Sequence, residues 1–202
     1  MIARILPLVA LVAFAAPVAA QKVNTDANTV PAGSYTIDPG HTKVLFSIVH
    51  MGFTDYYGQF PGTTGTAVLD PRNPGADRVD VTVPVRTVST TNATLDGELV
   101  APDWFDAAKF PTMHFVSTSV TPTGPGTARV AGDLTLHGVT RPVVLDAIFK
   151  GSGVNPLNKS YTTGFTISGK ILRSEFGVSK YIPMLSDAVD LIISAAFEKK
   201  PA

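Results

Sequence analysis

The sequence predicts an all-β domain, folded as an antiparallel barrel or sandwich. Three observations carry that expectation. Apolar residues recur with period two along most of the chain, as where Val79, Val81, Val83 and Val85 alternate with Asp80, Thr82, Pro84 and Arg86. Each such run closes on Gly, Pro, Asn or Asp. No strand–helix–strand alternation of the kind that builds a parallel sheet runs through the chain.

Taken in order, the first segment is expected to lie outside the fold. Met1 to Arg4 are positively charged, Ile5 to Ala16 are apolar, and Val18-Ala19-Ala20 are small residues ahead of Gln21. That is the pattern of a signal peptide, residues 1–20, cleaved after Ala20. The apolar run is short for a membrane span, which needs roughly 20 residues. The expected destination is the periplasm or the medium, with no transmembrane segment in the mature chain. Residues 21–34 are polar and unpatterned, which predicts a flexible leader. The remaining 35–200 are expected to form one domain.

Within that domain Val44, Phe46 and Ile48 alternate with Leu45, Ser47 and Val49, a strand largely buried on both faces. Strand composition continues at residues 64–70, 79–86, 112–120, 128–136, 142–150, 161–173 and 188–198, making about eight strands. Pro84 has no N–H to donate, so its strand is expected to pair weakly there. Residues 92–109 break the pattern. Leu95, Leu99 and Val100 are helically spaced behind a capping Asn92, and Pro102 precedes a second turn at Asp103-Trp104-Phe105. Two short helical pieces across one end of the β structure are expected.

Composition excludes several function classes. The chain has no cysteine, so thiol chemistry, disulfides and thiolate metal sites are absent. Lys and Arg together number 16, as do Asp and Glu, so no electrostatic footprint for nucleic acid exists. His41, His50, His114 and His137 fall in no HxH or HExxH spacing, and no metal site is expected. No GxSxG, SxxK, P-loop or GxGxxG motif occurs, and no catalytic residue is assigned. Asp96, Glu98, Asp103 and Asp106 read as helix caps and a solvated face. His137-Gly138 sits between two alternating runs, and its turn chemistry predicts a hairpin corner.

Four stretches carry a family resemblance: YTIDPGHTKVLFSIVHMGF, LVAPDWFDAAKFPTMHF, GDLTLHGVTRPVVLDAIF and RSEFGVSKYIPMLSDAVDL. Together they resemble the YceI-like family of exported, lipocalin-like, polyisoprenoid-binding proteins, from about Tyr35 to Lys199. One run departs from that family's Arg-Asp-x-His-Leu pattern and reads Leu95-Asp96-Gly97-Glu98-Leu99. The resemblance implies an eight-stranded, extended, antiparallel lipocalin-like β-barrel with short helical segments at one end. It implies a long-chain isoprenoid, quinone or related lipid held in an apolar channel, no other cofactor, and room for a homodimer.

Inward strand positions supply the expected channel lining: Val44, Phe46, Ile48, Val81, Val83, Phe115, Leu145, Phe149, Phe165, Ile167, Leu191 and Ile193. Phe53 and Trp104 are expected to close an end, and Asp38, His41, His50 and Arg173 to mark the polar end. The expected role is an exported carrier or sequestering protein. Two alternatives stay open: an isomerase or hydrolase of a lipid-like substrate using His50 or His41, and a solid-barrel, stress-related interaction protein.

Overall fold

In a computed structural model of the protein, residues 23–199 are described. The expected signal peptide lies outside them. Ten strands form one antiparallel sheet: β1 (Gly33–Ile37), β2 (Lys43–His50), β3 (Thr54–Phe60), β4 (Thr64–Leu69), β5 (Arg78–Pro84), β6 (Thr112–Gly124), β7 (Thr127–Leu136), β8 (Val139–Val154), β9 (Tyr161–Leu172) and β10 (Ala188–Lys199). Their order is β1-β4-β5-β6-β7-β8-β9-β10, and β10 pairs back onto β1. That ring is a closed eight-stranded barrel, as the family resemblance implies. β2 and β3 extend it upward. β10 pairs with β1 at Phe197 and Glu198, and with β2 from Asp190 to Ser194. β1 with β2, and β3 with β4, therefore act as two long, interrupted staves.

The interruption between β1 and β2 has a local cause. The Asp38 carboxylate accepts from the Gly40 and His41 backbone N–H groups at 2.8 and 3.3 Å, an Asx turn that pushes the chain out of the ladder. Inward residues are odd-numbered before it (Tyr35, Ile37) and even-numbered after it (Val44, Phe46, Ile48). Thr42 closes the gap by exchanging hydrogen bonds with Ala196 on β10.

His137 is the corner of the β7–β8 hairpin. His137 and Gly138 both have positive φ, 52° and 75°, the signature of a two-residue type I′ turn. The imidazole packs edge-on against Phe110 at 4.8 Å and meets the Phe176 carbonyl at 3.2 Å. A Cβ at Gly138 would lie 2.4 Å from the Phe110 ring. Gly138→Ala is expected to cost about 2 kcal/mol, from the left-handed backbone and the displaced ring. A urea melt measures it, and an unchanged midpoint would refute it.

Two expectations need correction. Residues 23–34, read as a flexible leader, form a strap folded against the lower end. Asn24 pairs with Ser152 on β8, Asp26 caps a single 3-10 turn at Ala27–Thr29, Val30 is buried in the core, and Gly33 opens β1. Val30 supplies the apolar burial that a reading of polar composition overlooks. Of the two helical pieces expected between 92 and 109, one forms: α1 (Ala93–Leu99), with Asn92 accepting from Thr94 and Leu95 N–H. The second is a chain of turns, in which Trp104 and Asp106 N–H bond the Ala101 carbonyl and Ala107 N–H bonds that of Val100. Pro102 cannot donate to a helix ladder there.

The core divides in two along the barrel axis. An upper cluster contains Phe60, Val85, Leu99, Trp104, Met113, Phe176 and Leu185. A lower one contains Val30, Tyr35, Ile37, Ala67, Ala195 and Phe197.

Candidate functional site

The barrel interior is hollow. An upper chamber of about 360 Å³ and a lower one of about 220 Å³ are lined almost wholly by apolar side chains, and Leu191 on β10 borders both. Large side chains lie flat on the wall where a neighbouring strand carries glycine. A Cβ at Gly58 would stand 2.3 Å from the Phe46 ring, and one at Gly132 2.5 Å from the Phe115 ring. Glycine at these two places keeps the rings out of the lumen.

Thirteen of the fourteen expected lining residues border interior space. Phe46, Ile48, Trp104 and Leu191 face the upper chamber. Val44, Val81, Val83, Phe115, Leu145, Phe165, Ile167, Leu191 and Ile193 face the lower one. Phe149 lies lower still, in a pocket at the bottom of the barrel. Phe53 is the exception. It occupies the β2–β3 turn and is 84% exposed, so it closes nothing. Trp104 does form part of the upper wall. Tyr181 packs edge-on against it at 6.0 Å, the Arg173 guanidinium and Lys180 ammonium stand 5.9 and 5.5 Å from its ring, and its Nε1 has no hydrogen-bond partner among the described residues.

The expected polar end comes apart into two places. His50 and Arg173 line the upper chamber. Asp38 and His41 sit at the outward bulge between β1 and β2, paired with each other at 2.5 Å, and belong to neither chamber. Their contiguity with a strand in sequence hides the phase change that turns them outward.

Arg173 is buried, and its partners are backbone. Its Nε donates to the Ser186 carbonyl, Nη1 to those of Val178 and Lys180, and Nη2 to that of Leu185, at 2.9–3.2 Å. Burial lowers its pKa, partly opposed by nearby Asp187. It ties the long β9–β10 connection into a lid over the upper chamber. α1 covers another side through Leu95 and Leu99, and Asp96 anchors it by accepting from the Thr90 N–H and hydroxyl. Glu98, where the resembling family has His, lines the same chamber.

Sequence reasoning missed much of this upper wall: Tyr56, Phe60, Met113, Leu136, Ile171, Val178, Tyr181, Met184, Leu185 and Val189. Period two extended by one or two steps finds some of them. Met113 is in phase with Phe115, Ile171 with Ile167, and Val189 with Leu191. Leu136 is in phase with Leu134 on β7. The others stand on the β9–β10 loop or on β3, where no such signal exists.

The resemblance seen in the sequence is borne out along the chain: residues 35–197 match the YceI-like domain. The chain belongs to the YceI-like family. Protein YceI of Escherichia coli is 39% identical over 170 residues, covering 83% of this chain and 88% of the relative. Among solved structures, Burkholderia cenocepacia BcnA superimposes with a TM-score of 0.72 at 23% identity, over 79% of this chain and 98% of that one. A polyisoprenoid binding domain from Saccharophagus degradans, implicated in plant cell wall breakdown, gives 0.60 at 13% identity, over 82% and 98%. Those two likenesses establish the fold of this YceI-like protein.

Asp77 stands where the lower chamber meets the bottom pocket and lines both. Burial is the main cause that raises its pKa from 3.8 to about 6, although it accepts from the Asp70 N–H. The folded protein thus holds a proton that the unfolded chain releases between those values. Its contribution is favourable in acid, falls as pH rises through that window, and is lost above about 6. Asp77→Asn is expected to gain about 1 kcal/mol at neutral pH, discounted because the group is half exposed, and nothing below pH 3.8. Urea melts across that range measure it. An Asn advantage that grew toward acid would refute the assignment.

Proposed function

We propose that this YceI-like protein binds a long-chain isoprenoid, quinone or related lipid in its barrel, and carries or sequesters it outside the cytoplasm. The two apolar chambers along the axis carry this reading. A lipid tail offers area and almost no hydrogen bonds, and burying it gains about 0.8 kcal/mol per CH₂ before ordering costs. Such a ligand needs a dry lining and a few polar groups at one end. The upper chamber has that pattern, with His50, Thr90, Glu98 and Arg173 among otherwise apolar walls. The fold shared with a polyisoprenoid binding domain is in keeping with it, as is the signal-peptide pattern of residues 1–20.

In this reading the protein is a binder without catalytic residues or a further cofactor, and a solid barrel does not fit chambers of this size. The isomerase or hydrolase alternative keeps one supporting observation. His50 borders the upper chamber beside Tyr56, at 6.0 Å between rings, where a general acid or base would stand.

Native mass spectrometry of protein purified without detergent, followed by organic extraction, tests the proposal. The expected result is a stoichiometric long-chain adduct, released unaltered. A bare protein mass that persists after isoprenoid alcohols and quinones are added would overturn it.

A further inference from the structure

We infer that the lower end of the barrel is a second portal, which receives the far, apolar end of the bound chain. This rests on the lipid-binding reading above. At the bottom of the barrel a further pocket of about 360 Å³ opens to solvent between the strap, the β4–β5 loop and the β6–β7 turn. Leu69, Asp77, Val120, Ala128, Ala147 and Phe165 line both this pocket and the lower chamber, so the two meet at a neck. Ala128 and Ala147 are cross-strand partners on β7 and β8, and both side chains face the neck. Two methyl groups there leave a passage that larger residues would fill.

The strap covers the other part of the bottom and is fixed along its length. Asn24 exchanges backbone hydrogen bonds with Ser152, Val30 is buried in the lower core, and the Tyr35 hydroxyl donates to the Pro31 carbonyl at 2.6 Å. The opening beside it is thus part of the folded molecule.

Charge orients the ligand. Among the described residues lining the lower pocket are the carboxylates Asp26 and Asp77 and no Lys, Arg or His. The upper chamber carries Arg173 and His50 together with Glu98. An anionic head is repelled at the bottom and finds a cation at the top. The end that passes the neck is hydrocarbon, and it comes to rest against Pro71, Pro74, Pro122 and Phe149. Chain length is then not capped by the volume of the two chambers.

The test uses Trp104, the one tryptophan in the chain, as a fluorescent reporter of the upper chamber. Farnesol, a short isoprenoid alcohol, and solanesol, a long one, are titrated into the unaltered protein and into Ala128→Phe. Farnesol is expected to bind both alike. Solanesol is expected to bind the variant at least about tenfold more weakly, the loss of about two buried CH₂ groups. Equal solanesol affinity for both proteins would overturn the portal and leave lipid binding standing. Failure of both alcohols to bind the unaltered protein would sink the lipid reading and the portal with it. A solanesol analogue with a diazirine at its chain terminus gives a readout independent of any variant. Crosslinks to residues 25–30, 71–77 or 122–128 are expected, and crosslinks confined to the upper chamber would overturn the portal.

Discussion

Arg173→Met is expected to destabilise the protein by about 4 kcal/mol, a fall of about 10 °C in Tm for a chain of this size. The guanidinium satisfies four backbone carbonyls of the β9–β10 connection, those of Val178, Lys180, Leu185 and Ser186. Methionine fills similar volume and donates nothing, so each carbonyl forfeits at least about 1 kcal/mol. Arg173→Lys is expected to recover only part of this, since an ammonium cannot span the same fork. The loss falls on the lid of the upper chamber, so ligand release should speed up in both variants. Urea melts measure the stability. A methionine variant within about 1 kcal/mol of the parent would show that water replaces the guanidinium without cost.

Leu191→Trp is expected to weaken binding of a long-chain lipid by on the order of 100-fold while leaving the fold intact. Leu191 borders both chambers, so an indole there has space to enter and bars the passage between them. A chain stopped at that waist loses its burial in the lower chamber, and about four CH₂ groups at about 0.8 kcal/mol each reach the stated loss. A ligand short enough to stay in the upper chamber should bind nearly as before. Displacement titration against a fluorescent lipid reads the effect. Unchanged affinity for the long chain would mean that only the upper chamber is used.

How much of this was legible in the sequence depends on where the backbone keeps its phase. On β9 the residues Phe165, Ile167 and Ile171 keep one parity, so their inward direction follows from any one of them, and Arg173 continues the series. The same holds for Val44, Phe46 and Ile48 on β2. Legibility ends where parity changes. The Asx turn at Asp38 reverses it and carries Asp38 and His41 to the outside, while their neighbours in sequence face in. Phe53 looked like a plug because it is large and apolar, yet a hairpin tip offers it nothing to pack against. β3 escaped notice because Thr54-Asp55-Tyr56-Tyr57-Gly58-Gln59-Phe60 alternates poorly, and its glycine exists to admit Phe46. The upper wall from Val178 to Leu185 is loop. Its apolar residues are placed by Arg173 and by tertiary contact, for which no local period exists.

The closure of β1 on β10 has a consequence for how the chain could be rearranged. The other joints in the ring link consecutive strands, apart from β1 with β4, whereas this seam joins the two extremities of the domain. The Lys199 ammonium donates to the Ala32 carbonyl at 2.6 Å, so the two extremities lie side by side. A short linker from Lys199 to Gly33, which drops the strap of residues 23–32 with its buried Val30, and new termini cut into the exposed β6–β7 turn at Gly124–Thr127 would give a circular permutant with the same staves in the same order. In that permutant the seam becomes an ordinary hairpin, and the long-range closure moves to the pair β6 and β7.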